Sequence, residues 1–344
     1  MRVAVYYNNH DIRIEERPIP EINDNELLVK VIASGICGSD VMEWYRIKSA
    51  PRVLGHEIAG EIVKVGKNIK EFKIGDRVFV SHHVPCNECR YCLKGYHTVC
   101  ETLKKTNFDP GGFSQYLRVP EINVKFGTFL LPKEISYEEG TFIEPLGCVI
   151  RGQRFAQIAM EDTTLVIGSG IAGILHIKLL KAKGIKKIIA TDINKFRLDF
   201  AKSCGAEVVD ARDNVIERVK EINNGRLADV VIVNTTALSA SEQAFSSVDR
   251  AGTILSFAPT APDVRIPLPL FDLYFKGVKI IFSYAAVQKD IIEAIELLKS
   301  KKINVVDMIT NRFGLDDIQK GFKLVEKADR SLKVIIEPHI PSSE

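Results

Sequence analysis

Thr163-Thr164-Leu165-Val166-Ile167-Gly168-Ser169-Gly170, running directly into Ile171-Ala172-Gly173-Ile174-Leu175-His176-Ile177, is the stretch on which the fold turns. Five apolar or β-branched residues predict a buried strand, and the apolar run after Gly170 predicts a helix. Between them lies a Gly-x-Gly-x-x-Gly turn. The first glycine, Gly168, permits a tight bend. Gly170 lets the backbone approach a pyrophosphate, and Gly173 lets the helix pack closely on the strand. The helix N-terminus at Ile171 and Ala172 offers free N–H groups and a partial positive charge to phosphates. The motif alone is weak evidence, but a preceding strand and a following helix are the context it requires.

The same texture continues downstream. Lys186–Asp192 reads as a second strand ending in an acidic residue, nineteen positions beyond Gly173. Asp192 is placed to accept hydrogen bonds from an adenosine ribose and to repel a 2′-phosphate, which favours NAD over NADP; Lys195 and Arg197 nearby soften that preference. Helical Asn194–Gly205, strand Glu207–Ala211, helical Asp213–Asn223 and strands Ala228–Thr236, Gly252–Pro259 and Val278–Ala286 complete an alternation typical of a doubly wound, mostly parallel sheet. Upstream, Arg2–Tyr7, Glu26–Ser34, His56–Gly66 and Asp76–His83 read as strands broken by turn residues, with imperfect alternation suggesting a curved sheet. Lys289–Ile303 and a segment around Gly314–Lys327 predict amphipathic helices, and Ser331–Pro338 a closing strand. The fold class is α/β in two domains.

Length and composition agree. The chain has 344 residues, 46% of them hydrophobic, and a formal net charge of only +3. So balanced a charge leaves no electrostatic footprint for nucleic acid or an anionic membrane. No stretch approaches the ~18 uninterrupted apolar residues of a membrane span, and the first residues lack a signal peptide's apolar run. The expected compartment is the cytoplasm.

Seven cysteines are present, and four of them crowd into Cys86-x2-Cys89-x2-Cys92-x7-Cys100. In a reducing compartment such crowding favours metal over disulfides. Four thiolates make a closed tetrahedral zinc site, structural because no position is left for substrate; the spacing alone does not exclude an iron–sulfur cluster. A second set is scattered: Cys37 in Gly35-Ile36-Cys37-Gly38-Ser39-Asp40, His56 and Glu57 in Gly55-His56-Glu57, and Glu144 in Ile143-Glu144-Pro145-Leu146. Taken singly, a lone cysteine reads as buried filler and a His beside a Glu as a satisfied polar pair.

Together these motifs resemble the zinc-containing medium-chain dehydrogenase/reductase family. Gly55-His56-Glu57-Ile58-Ala59-Gly60, five residues, Gly66, two residues and Ile69 match its zinc signature, and the other motifs follow in family order. Glu144 in its Ile-Glu-Pro-Leu setting looks like the sorbitol (polyol) dehydrogenase branch. The resemblance implies a GroES-like β-barrel catalytic domain at residues 1–146 and 290–344, with the structural zinc loop at 86–100. A Rossmann NAD-binding domain would occupy residues 147–289. It implies one catalytic and one structural zinc per chain, the catalytic one held by Cys37, His56 and either Glu57 or Glu144. Asp40 would orient His56, and Ser39 would relay the proton of the substrate hydroxyl.

The implied reaction is hydride transfer between a secondary alcohol and NAD, giving a ketone, or its reverse. Small-molecule alcohol or ketone substrates are expected, without nucleic-acid or membrane partners, in a homodimer or homotetramer. Two departures stand out. Cys148 lies one helical turn beyond Glu144 and so on the same face, and Glu43 stands near a position where the polyol branch tends to carry an aromatic or histidine residue. Rival readings are a threonine or butanediol dehydrogenase, a zinc- and NAD-binding sensor, and a nucleic-acid-binding zinc module.

Overall fold

Leu27–Ile36 organises the first half of the chain. Its sequence, LLVKVIASGI, is apolar and mostly buried. It pairs antiparallel with Glu57–Val65 on one side and with Lys333–Glu337 and Tyr116–Val119 on the other. The computed structural model describes residues 1–341. In it, seven strands form one mixed sheet, in the order Ile309–Gly314, Lys333–Glu337, Leu27–Ile36, Glu57–Val65, Arg77–Val80 and Thr128–Leu130, with Tyr116–Val119 attached to Leu27–Ile36. Two register shifts between Leu27–Ile36 and Glu57–Val65 mark bulges. Bulges bend and twist a sheet, which is why alternation along these strands is imperfect. A smaller sheet joins Arg2–Asn8 to Asp11–Glu16 and Arg52–Val53.

These strands belong to one compact unit, Met1–Gly147 together with the chain from Ala285 onward; Cys148–Tyr284 forms the other. The helix Ile143–Ala156 runs through the first boundary. The sequence placed the return to the first unit at residue 290.

The second unit is a six-stranded, all-parallel sheet. Its order is Glu207–Asp210, Lys187–Asp192, Thr163–Ile167, Ala228–Val233, Val248–Ser256 and Lys279–Phe282. Thr163–Ile167 is buried along its whole length, as expected of a central parallel strand with both faces covered. The chain winds outward from this strand in both directions, so its carboxyl end is the topological switch point where such sheets bind ligands. Leu165, Ile189, Val231 and Ile254 line up across the sheet in one apolar core.

Three local readings changed. The strand expected at Asp76–His83 stops at Val80, so His82 and His83 fall in the turn leading to the four-cysteine loop. The helices Leu238–Ser247 and Leu270–Lys276 escaped the sequence. The first is built from small and polar residues with little periodicity, and the second is only two turns long. No helix among the described residues is long and apolar enough to cross a membrane.

Candidate active site and metal centres

Cys37 follows directly on Leu27–Ile36 and caps the short 3-10 helix Gly38–Val41. Its Sγ accepts the Ser39 N–H at 3.4 Å and lies 3.4 Å from the Ser39 hydroxyl. The Cys37 N–H donates to Asp40 Oδ2 at 3.1 Å. Asp40 is wholly buried, and its Oδ1 faces His56 Nδ1 at 3.4 Å and an N–H of Arg46 at 3.1 Å. With Nδ1 turned to a carboxylate, the other ring nitrogen of His56 is the one left for a metal.

The electrostatics follow this packing. Burial pushes His56 down, but the charge of Asp40 and the Cys37 sulfur outweigh it and hold the imidazole well above its usual range. Burial likewise raises Asp40, and His56 and Arg46 more than reverse it. The next turn carries two more imidazoles. The His82 ring lies 4.8 Å from that of His56 and 3.8 Å from that of His83. Burial, then neighbouring positive charge, pushes His82 well below its usual range and His83 down to about 4. Both are neutral at pH 7.

Glu57 opens the strand beside His56 and is 1% exposed. Its Oε2 accepts from the ammonium of Lys333, a lysine with no exposed surface at all, which also lies over the Phe142 ring at 4.9 Å. Ligand atoms of Cys37, His56 and Glu57 all fall within 4.8 Å of one another. Thiolate, imidazole and carboxylate in one cluster suit zinc with a coordination position to spare. Among the described residues Glu144 is outside this cluster. It is buried in the first turn of Ile143–Ala156, with Cys148 one turn further along the same helix.

The second metal cluster is the loop. One ligand atom each from Cys86, Cys89, Cys92 and Cys100 lies within 4.8 Å of the others, and all four are free of disulfides. Cys89–Cys92 and Cys86–Cys100 sulfurs are 3.6 Å apart, near the ~3.8 Å edge of a tetrahedron with ~2.3 Å zinc–sulfur bonds. Among the described residues, Leu103 and Val287 are the other apolar side chains in the buried cluster with these cysteines, a small core of the kind that a bound metal would order. Burial drives Cys92 up to about 12. At Cys100 burial also raises the thiol, but backbone N–H groups outweigh it and bring it down to about 6.

In the second unit the glycine turn is formed as expected. Gly168 has φ +88°, a conformation side chains resist, and a Cβ on Gly173 would run into the Gly168 carbonyl. Ile171–Ala182 starts immediately after Gly170. Asp192 ends its strand with Oδ2 accepting the Ser169 N–H at 2.8 Å and Oδ1 the Asn194 N–H at 2.9 Å. A carboxylate has about four acceptor positions, so room remains for ribose hydroxyls. A Cβ on Gly170 would stand 3.6 Å from the Arg197 guanidinium. Asn234, beyond strand Ala228–Val233 and against Gly168, buries both polar atoms of its amide without a partner. Such orphaned atoms at a switch point fit a dinucleotide.

The alcohol dehydrogenase GroES-like domain model matches residues 23–126, and the zinc-binding dehydrogenase model matches residues 172–300. The chain is 32% identical to sorbitol dehydrogenase of Bacillus subtilis, over 98% of each chain. The chain belongs to the zinc-binding alcohol dehydrogenase family. It is therefore an oxidoreductase of CH–OH groups. It is also 34% identical to the probable D-xylulose reductase A of Aspergillus fumigatus, over 95% of this chain and 94% of the other. Among solved structures, an alcohol dehydrogenase from Escherichia coli CFT073 complexed with NADH superposes with TM-score 0.88 at 26% identity, covering 98% of this chain and 99% of that one.

Sequence reasoning missed Arg46 and Lys333; it noted His82 beside the cysteine loop and Asn234 in a segment lacking the glycine of many relatives, and gave neither a role in a site. Only Lys333 left a signal: a lysine inside the otherwise apolar Leu332-Lys333-Val334-Ile335-Ile336. A charge at such a position needs a buried partner.

Proposed function

We propose that this dehydrogenase interconverts a secondary alcohol of a polyol, sugar alcohol or its phosphate with the matching ketone, using NAD, in the cytoplasm. The observation that carries the reading is the cluster of Cys37, His56 and Glu57, with Ser39 on the Cys37 sulfur and Asp40 behind His56. Cys37 and His56 would hold a catalytic zinc together with Glu57 or Glu144, and the four cysteines a structural one. The metal when bound supplies Lewis acidity at the substrate oxygen, and the nicotinamide supplies a hydride acceptor.

The rest falls to the chain's own groups. Asp40 keeps His56 in one tautomer and orientation. The Ser39 hydroxyl would relay a proton, accepting that of the substrate hydroxyl as the carbonyl forms and releasing its own toward bulk water. The turn from Gly168 to Gly173, with Ile171 and Ala172 at the helix start, receives the pyrophosphate. Asp192 accepts from the adenosine ribose. Arg197 sits where it can meet a phosphate.

The second unit also carries a surface for a second copy of the chain. Strand Lys279–Phe282 is the edge of its sheet, and Phe271, Tyr274, Phe275 and Phe282 nearby are each 71–76% exposed. Unpaired strand edges and contiguous exposed aromatics invite pairing, so the active form is a homodimer or homotetramer.

The substrate assignment is tested by NADH formation across sorbitol, xylitol, hexitol phosphates, 2,3-butanediol and threonine. Turnover confined to polyols supports it; turnover confined to threonine or to butanediol replaces it.

A further inference from the structure

Arg46 closes the short helix Glu43–Arg46 and reaches back over the turn that carries Ser39. Its Nε donates to the Ser39 carbonyl at 2.9 Å. One Nη2 donates both to Ser39 Oγ at 2.9 Å and to Asp40 Oδ1 at 3.1 Å. The side chain is only 15% exposed, so water screens these bonds little.

An arginine has five N–H donors, no acceptor and a permanent charge. At Ser39 Oγ the guanidinium must therefore be the donor. The hydroxyl's own hydrogen then has to point elsewhere, and the acceptor within reach is the Cys37 sulfur at 3.4 Å. Free to rotate, a serine hydroxyl populates several orientations. Here Arg46 occupies one lone pair of Oγ and leaves the other for an incoming hydroxyl, whose proton Ser39 can accept only as it releases its own toward water. The same Nη2 also touches the carboxylate oxygen that faces His56. A single nitrogen thus stands between the proton-handling hydroxyl and the group that orients a metal ligand.

We infer that Arg46 is a positioning residue for proton transfer: its guanidinium fixes the Ser39 hydroxyl and locks it to the Asp40–His56 pair. This rests on the proposed role of Ser39. The planar fork is essential, because it satisfies the carbonyl through Nε while Nη2 serves the hydroxyl and the carboxylate. A lysine ammonium carries the charge without that geometry.

The test is a double-mutant cycle on the zinc-loaded enzyme with Arg46→Met, Ser39→Ala and the pair. Arg46→Met is expected to lower kcat for the polyol by about 10- to 100-fold, part of the roughly 10²- to 10⁴-fold that positioned proton transfer contributes, because Ser39 itself remains. KM, NADH affinity from fluorescence titration, and zinc per chain should stay near wild-type values. The double variant should be no slower than Ser39→Ala, because the two residues act as one unit. Arg46→Lys should recover less than half of the loss, and guanidinium ion added to Arg46→Ala should restore turnover where sodium ion does not. Additive losses in the cycle, an unchanged kcat in Arg46→Met, or a loss matched by missing zinc would each overturn the inference. A wild-type enzyme that turns over no polyol would instead contradict the functional reading itself.

Discussion

Lys333 and Glu57 pair across an intervening strand, over the bare backbone of Gly35. Lys333 lies on the strand on one side of Leu27–Ile36 and Glu57 on the other; Gly35 stands opposite Glu57 in one register and opposite Ile335 in the other. Any Cβ at Gly35 would collide with both the ammonium and the carboxylate. Glycine thus leaves the space in which the ion pair closes; a side chain here would have to displace the pair rather than the backbone. The pair anchors one end of Glu57 beside His56 and brings the closing strand of the chain into the architecture of the site.

Breaking that pair from one side leaves a buried charge alone. Lys333→Met should destabilise the protein by about 3–5 kcal/mol, and Lys333→Met with Glu57→Gln by clearly less. Equilibrium urea unfolding measures both. Equal losses in the two variants would show that the lysine matters for packing only.

The four-cysteine loop should hold one zinc that contributes folding energy. Cys92→Ser is expected to remove one zinc ion per chain and to expose the 86–100 loop to proteolysis. Metal analysis combined with limited digestion reads this. A Cys92→Ser protein that keeps its full metal complement would place that zinc elsewhere.

His176 makes stability depend on pH. It is fully buried, its Nδ1 lies 3.2 Å from the Gln153 amide, and burial pushes it down to about 3. In the unfolded chain a histidine takes up its proton near pH 6.5. Below that pH the unfolded state binds a proton that the folded state refuses, so stability falls as pH drops from about 6.5 toward 3. At pH 5 the loss from this one group is about 2 kcal/mol. Urea midpoints at pH 7 and pH 5 should therefore diverge more in the wild type than in His176→Met. Parallel shifts would mean that the ring is protonated in the fold.

Asp192 should set the cofactor preference. Asp192→Ser removes the carboxylate that repels a 2′-phosphate and leaves Arg197 at the turn. The ratio of kcat/KM for NADP over NAD should rise by at least tenfold, about 1.4 kcal/mol. An unchanged ratio would mean that Asp192 serves only to tie Ser169 and Asn194.

A charge on the exposed edge should separate the subunits. Phe282→Lys places an ammonium on the edge strand of the parallel sheet, and light scattering after gel filtration should show a shift toward monomer. An unaltered oligomer would move the interface to another surface.

Local signals made much of this legible in the sequence. The strand–glycine–helix run at Thr163–Ile177 specified the parallel sheet because its features are consecutive. The Cys86–Cys100 spacing specified a metal loop for the same reason. Cys37 and His56 were joined by resemblance, and the structure brings them together because their strands, Leu27–Ile36 and Glu57–Val65, are neighbours. Arg46 and Lys333 were illegible as partners. The contact of Arg46 with Ser39 depends on how a short loop folds back, and that of Lys333 with Glu57 on strand order between residues 276 positions apart. Neither carries a periodic trace. His82 was misplaced because the strand Arg77–Val80 ends with its last apolar residue, and the polar Ser81-His82-His83 that follows was read as its continuation.

The most direct test of the central claim is zinc content per chain, paired with NADH formation from a polyol before and after chelation. Two zinc ions per chain, turnover lost with the more labile one and regained on its return, and NADH binding kept throughout are the predicted results. A protein stripped of both zinc ions that still oxidised the polyol at its original rate would contradict the account.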